Sequence, residues 1–304
     1  MTQNQLKMWL VTARPKTLPL ALASIMTGAA LAYRFESFNV GVTLLAIITA
    51  LLLQIVSNFA NDYGDHLKGA DTTERIGPLR GIQQGAITAT QLKIALLILI
   101  LLTLVSGSTL IIVAYHSIKD LVVFGLLGIL AIIASITYTV GRKPYGYLGL
   151  GDISVLIFFG WLAVGGTFYL QAYYLNLTVF SVATASGLLA TAVLNINNLR
   201  DLEQDKKVGK NTLAVRLGER NAKIYHLFLL SFSFLLYWAA LFSLTWHNIY
   251  FLMLLPLPLL FKQGKAVLFV TDPMQLRPLL AQMAMLALLI NVLFSVALIL
   301  GFDW

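Results

Sequence analysis

Cysteine is missing from all 304 residues, which excludes disulfides, thiolate metal sites and a cysteine nucleophile. Charge is scarce as well, at 11% of residues, where soluble domains carry about 25%. The four histidines, His66, His116, His226 and His247, are scattered, and no two stand at a metal-binding spacing. A zinc or haem centre is therefore not expected. What fills the chain instead is apolar: 59% of it is hydrophobic, in continuous runs without the period-two alternation of a membrane strand. Such runs must satisfy their backbone hydrogen bonds within each segment, so the expected fold is all-α, a polytopic bundle of transmembrane helices. The N-terminus lacks a basic start, apolar stretch and small-residue cleavage site in that order, so the first apolar stretch is expected to stay as a span.

Nine runs qualify as spans: 18–33, 40–59, 94–115, 121–140, 153–170, 179–199, 225–244, 249–261 and 279–302. The eighth is short and interrupted by Pro256 and Pro258. At roughly 20 residues per span, nine spans and short loops use up the chain, and one transmembrane domain over residues 1–304 is expected. Nine crossings put all but two of the 21 Lys and Arg on one side, the exceptions being Arg34 and Lys119. The positive-inside rule makes the rich side cytoplasmic, N-terminus included. The net charge of +8 then reflects loops beside anionic membrane lipid, and no nucleic-acid partner is expected. Of the 13 acids, all but Glu36, Asp120 and Asp303 fall on that same cytoplasmic side.

Two constellations stand out there. At the end of span two, Asn58, Asn61, Asp62 and Asp65 recur at spacings of three and four, with Asp71 beyond, so a helix aligns them on one face. At the end of span six, Asn195, Asn198, Asp201 and Asp205 repeat the pattern. Carboxylates with amide oxygens are hard ligands suited to Mg2+, which takes one or two carboxylates plus phosphate oxygens and water. Facing sets of that kind suit a diphosphate, whose charge grows as it departs as a leaving group. Arg75, Arg80, Arg142, Lys143, Lys206, Lys207 and Lys210 flank the acids and could grip such an anion. The glycines around VGRKPYGYLGLGD do not make a nucleotide loop, because no strand precedes them. Asp152 there reads equally as a helix cap or a site residue. A secondary transporter would place acids near the bilayer midplane, and the apolar runs contain none there.

With these residues the chain resembles the UbiA superfamily of intramembrane aromatic prenyltransferases. The superfamily pattern NDxxDxxxD is met at Asn61, Asp62 and Asp65, with Gly69 at its third acidic position, and the second motif is met at Asp201 and Asp205, with Asn195 where many relatives carry an acid. The segments NDYGDHLKGAD, RIGPLRG, TYTVGRKPYGYLGLGD and NINNLRDLEQDKKVGKNTLAVRLG are similar to the naphthoate-using branch, and the resemblance runs from Arg14 to Gly218. It implies a helical bundle in a bacterial inner membrane, around a central cavity with the two motifs facing each other. Asp62, Asp65, Asp201 and Asp205 would hold magnesium, helped by Asn58, Asn61 and Asn198, with Asn195 in the same substrate-binding stripe. Arg80, Arg142 and Lys143 would add positive charge, and Tyr138 a hydrogen bond. The implied substrates are a polyprenyl diphosphate and 1,4-dihydroxy-2-naphthoate, which is prenylated with loss of its carboxylate to give demethylmenaquinone. A related acceptor such as 4-hydroxybenzoate is the alternative.

Overall fold

The computed structural model describes residues 3–69 and 81–301. A short helix α1 (Gln3–Ala13) precedes α2 (Leu18–Arg34), α3 (Val40–Leu67), α4 (Ala89–Val113) and α5 (Ile118–Thr137). Then come α6 (Gly151–Ala172), α7 (Leu177–Arg200), the short α8 (Leu202–Lys207), α9 (Leu213–Phe242), α10 (Asn248–Phe269) and α11 (Leu276–Leu300). Among the described residues eight of these are long and apolar enough to cross a membrane, and α2, at 17 residues, stands at the lower limit of a span. Together they are the nine crossings expected, in an all-helical, multi-pass membrane protein.

Several ends differ from the sequence reading, each for a local reason. α3 continues past Phe59 to Leu67, because the polar stripe beyond the apolar run is itself helical. α4 starts earlier than Ile94, at Ala89, where Thr88 and Gln91 form a reciprocal capping box. Pro256 and Pro258 do not break the eighth crossing. They begin its α-helical part after a 3-10 stretch over Asn248–Leu254, where a missing N–H is tolerated, and the helix then runs on to Phe269. Lys262 and Lys265 therefore ride on that helix and not in a loop. Phe302, the expected end of the last span, lies outside the described residues.

α7 forms the centre, buried along most of its length between α6, α9 and α11. α4 and α5 lie at the edge, with many of their large apolar residues exposed on the outer face. Gly160 and Gly187 let α6 lie directly on α7: a Cβ on Gly187 would fall 2.7 Å from Leu156 Cδ1 and 3.0 Å from Gly160 Cα. That contact is made by a π-helical stretch, Leu156–Gly165, a wide-turned form usually found at functional sites. A buried polar knot joins three more helices, because Thr27 Oγ1 and Tyr237 Oη both donate to Asn291 Oδ1 at 2.8 Å. Lipid offers no competing partner for such groups, so bonds of this kind fix helix register.

Replacing Gly187 by valine forces two backbones apart, and overpacking of this sort costs about 1–3 kcal/mol. Thermal unfolding of purified Gly187→Val in detergent should show a clearly lowered midpoint. An unchanged midpoint would mean that the α6–α7 contact is looser than the geometry indicates.

Candidate active site

The first polar stripe projects from the final turns of α3. Gly64 lies within it, where a Cβ would come 2.6 Å from Thr139 Oγ1, and its bareness lets α3 lie against the residues that follow α5. Thr139 Oγ1 donates to Ala60 O at 3.0 Å and to Asn61 Oδ1 at 3.2 Å, which fixes the level of the stripe. Asn58 fastens the chain between α1 and α2: its Nδ2 donates to Ala13 O at 2.9 Å and to Thr17 Oγ1 at 3.2 Å. In that connection Pro15 stops α1 from continuing, and Arg14 takes a left-handed conformation with φ 51°. Such a conformation costs about 1–3 kcal/mol in a non-glycine residue and persists where the surroundings enforce it. Here it delivers the guanidinium of Arg14 onto the buried carboxylate of Asp62 as an ion pair.

The second stripe is bent at Asp201, which both ends α7 and opens α8. Arg200 grips Asp201 with both arms, Nε to Oδ1 at 2.8 Å and Nη2 to Oδ2 at 2.6 Å, while Nη2 also donates to Asn197 Oδ1 at 2.9 Å. Lys210 faces Asp205 at 3.3 Å. Burial pushes the Asp205 carboxyl up to about 6, with Lys210 opposing the shift and the carboxylates of Asp201 and Asp65 adding to it. Asp65 and Asp205, one from each stripe, are thus within electrostatic reach of each other. Tyr147 ties the two sides together: its Oη donates to Asp65 Oδ1 at 3.2 Å, and the ammonium groups of Lys68 and Lys210 lie 5.1 Å and 5.9 Å from its ring centre.

Both stripes open onto a cavity of about 1020 Å³. Asn58, Asn61, Asp62, Asp65, Tyr138 and Asp201 line it, together with six cationic residues, Lys7, Arg14, Lys16, Arg200, Lys210 and Arg277, of which the sequence reading named only Lys210 as a grip for the anion. Tyr138 reaches this end from just beyond α5, with its ring edge-on to Tyr145 at 5.3 Å. The remainder of the wall is mostly apolar and is built by α2 to α6 with residues of α7 and α11. Asn195, Asn198 and Asp205 do not line the cavity, and Asn197 occupies the lining position on α7 instead. Both amide atoms of Asn195, Oδ1 of Asn198 and Oδ2 of Asp205 are buried without a hydrogen-bond partner among the described residues. Arg142 and Lys143 are exposed beside a second hollow of about 390 Å³, which they share with Lys68 and Tyr147. Asp71, Arg75 and Arg80 lie outside the described residues.

Among the described residues no three acidic or histidine side chains come together to enclose an ion. The donors present are carboxylate and amide oxygens only, with buried oxygens left over on Asn198 and Asp205. That incomplete, hard set fits a cation that keeps water and phosphate oxygens in its shell.

A helical membrane bundle that holds an apolar chamber closed at one end by opposed carboxylates and cations is a container for an amphiphile with a polyanionic head. The chain belongs to the UbiA prenyltransferase family, whose model matches residues 21–286 and so reaches well beyond Gly218 into α11. It is 57% identical to the 1,4-dihydroxy-2-naphthoate octaprenyltransferase of Haemophilus influenzae, over 99% of this chain and 98% of that one. With the enzyme of the same name from Escherichia coli it shares 54%, over 99% of each chain. In fold it is similar to a UbiA homologue from Archaeoglobus fulgidus solved with GPP and Mg2+, at 16% identity and a TM-score of 0.61, over 96% of this chain and 99% of that one.

The Arg200–Asp201 pair is almost fully buried, and removing one member of such a pair costs about 3–5 kcal/mol because the other charge is stranded. Arg200→Met should therefore lower the unfolding midpoint sharply in metal-free buffer. Arg200→Met combined with Asp201→Asn should recover most of the loss. Equal midpoints for wild type and Arg200→Met would show that the pair is not what holds this corner.

Proposed function

We propose that this protein transfers the prenyl group of a polyprenyl diphosphate to 1,4-dihydroxy-2-naphthoate, with loss of carbon dioxide, to make demethylmenaquinone in its reduced, hydroquinone form. The observation that carries this reading is the chamber itself: one cavity joins an apolar shaft to a head lined by Asp62, Asp65, Asp201 and balancing cations. Relatives of more than half-identical sequence over nearly the whole chain carry that activity in their names, which supports the same acceptor here. The apolar shaft suits the prenyl tail, since each buried methylene contributes about 0.8 kcal/mol.

The diphosphate head sits between the α3 and α7–α8 stripes, and Asp62, Asp65, Asp201 and Asp205 would hold magnesium there with Asn61. Magnesium, when bound, supplies the positive charge that neutralises the departing diphosphate. Arg14, Arg200 and Lys210, already paired with these carboxylates, keep the head from being a bare cluster of negative charge. Tyr138 is placed at the same end to donate a hydrogen bond to the leaving oxygen. The carbon–oxygen bond to the diphosphate breaks with its electron pair on oxygen, leaving an allylic cation. The electron-rich ring attacks that cation through the carbon bearing the carboxylate, and the resulting non-aromatic ring regains aromaticity by expelling carbon dioxide. Apolar walls below the head keep water from capturing the cation first. The sorting of Lys and Arg supports a head that opens to the cytoplasmic side of a bacterial inner membrane, with Arg142 and Lys143 adding positive potential on the approach.

Naphthoate labelled in its carboxyl group tests the reading directly. Purified protein given a polyprenyl diphosphate should release label as carbon dioxide in step with prenylated product, and exhaustive chelation of divalent cations should stop both. Label retained in the product would refute the decarboxylating step, and full activity after chelation would refute the metal-held head.

A further inference from the structure

The lining of the cavity on α5 is a single stripe. Tyr138, Ser135, Ala131, Gly128, Leu127 and Phe124 all face it, and spacings of three and four keep them on one side of a helix. At 1.5 Å per residue, Gly128 lies about 15 Å below Tyr138 and Phe124 about 21 Å below it. A Cβ on Gly128 would meet nothing within 4 Å, so the glycine is not there to admit a neighbouring helix. What its missing side chain leaves open is the shaft.

Phe124 is the reverse case. Its ring stacks on Tyr169 at 5.5 Å, and a Cβ on Gly166 would already touch it at 3.6 Å. It packs on a cluster with Ile25, Leu110 and Leu170, all of which line the cavity from other helices. Tyr169 is itself anchored, because its Oη donates to Asp120 Oδ1 at 2.8 Å while Ser117 Oγ donates to Asp120 Oδ2 at 2.7 Å. The shaft is therefore widened by small residues along α5 from Ser135 to Gly128 and meets a braced aromatic ring at Phe124.

We propose that α5 sets which donor tails the enzyme accepts: Gly128 keeps the shaft open to long tails, and the Phe124 ring, braced by Tyr169, narrows it further down. This rests on the prenyl-transfer reading of the same cavity. The head residues have no part in the discrimination, because they lie about 15 Å away. A side chain at Gly128 blocks tail units that extend past that level and leaves room for those above it.

The test compares kcat/KM for octaprenyl diphosphate with that for geranyl diphosphate, using 1,4-dihydroxy-2-naphthoate as acceptor. Gly128→Leu should lower the long-to-short ratio by about tenfold or more. Gly128→Ala should lower it less, and carries the test if the leucine variant does not fold. Phe124→Ala should move the ratio the opposite way, while Ile129→Phe, on the lipid-facing side of the same helix, should leave it alone. A ratio unchanged in the Gly128 variants, or shifted as much by Ile129→Phe, overturns the proposal while prenyl transfer stands. A wild-type protein that transfers neither donor overturns the underlying reading, and this one with it.

Discussion

The constraint on which the rest of the structure depends is electrostatic. Three carboxylates, Asp62, Asp65 and Asp201, line the head of the chamber, with Asp205 buried behind them, and low dielectric strengthens their mutual repulsion. Left alone they would protonate or spread apart, and the Asp205 carboxyl is raised first by its burial and then, in smaller part, by the carboxylates of Asp201 and Asp65. The chain balances them with cations drawn from three separate places: Arg14 before α2, Arg200 at the end of α7 and Lys210 after α8. Each of those places departs from regular helix, whether by a left-handed residue, a bend or a turn. The irregular backbone of the head is thus what brings positive charge to a negative site.

The same arrangement separates chemistry from substrate length. Polar groups concentrate at the head, held by the Tyr147 bridge and the Thr139 contact with α3. Below them the walls come from α2 to α6 with residues of α7 and α11, and the wide π-helical turn of α6 supplies Phe158, Phe159 and Leu162 to that wall. A charged head in a bilayer is tolerable only at a helix end, and an apolar shaft costs nothing deeper down. One vertical gradient of polarity therefore positions both ends of an amphiphilic donor.

Much of this was legible in the sequence. Continuous apolar runs gave the nine crossings, and the spacing of Asn58 to Asp65 gave a helical face that α3 indeed presents. What the sequence hid were partners chosen in three dimensions. Arg14 and Arg200 look like ordinary topology charges: Arg14 has no acid at a helical spacing, and Arg200, three residues before Glu203, pairs instead with its neighbour Asp201. In NINNLRD, counting back by threes from Asp201 selects Asn198 and Asn195, whereas the helix uses a step of four, with Asp201 N–H donating to Asn197 O at 3.1 Å and Asn197 on the cavity wall. Tyr147 could not be singled out, because its role arises only where the loop after α5 meets the end of α3. Arg142 and Lys143 were expected at the diphosphate and stand instead on the exposed rim.

If the head is two half-sites that become one around a diphosphate, cation binding must depend on the anion and on both stripes at once. The direct measurement is a titration of Mn2+, read by electron paramagnetic resonance, into the purified protein with and without inorganic diphosphate. Diphosphate should tighten cation binding by about tenfold or more, and Asp65→Asn and Asp201→Asn should each abolish that gain. Cation binding that is equally tight without diphosphate, or that survives loss of either carboxylate, would contradict a site shared between α3 and α7–α8.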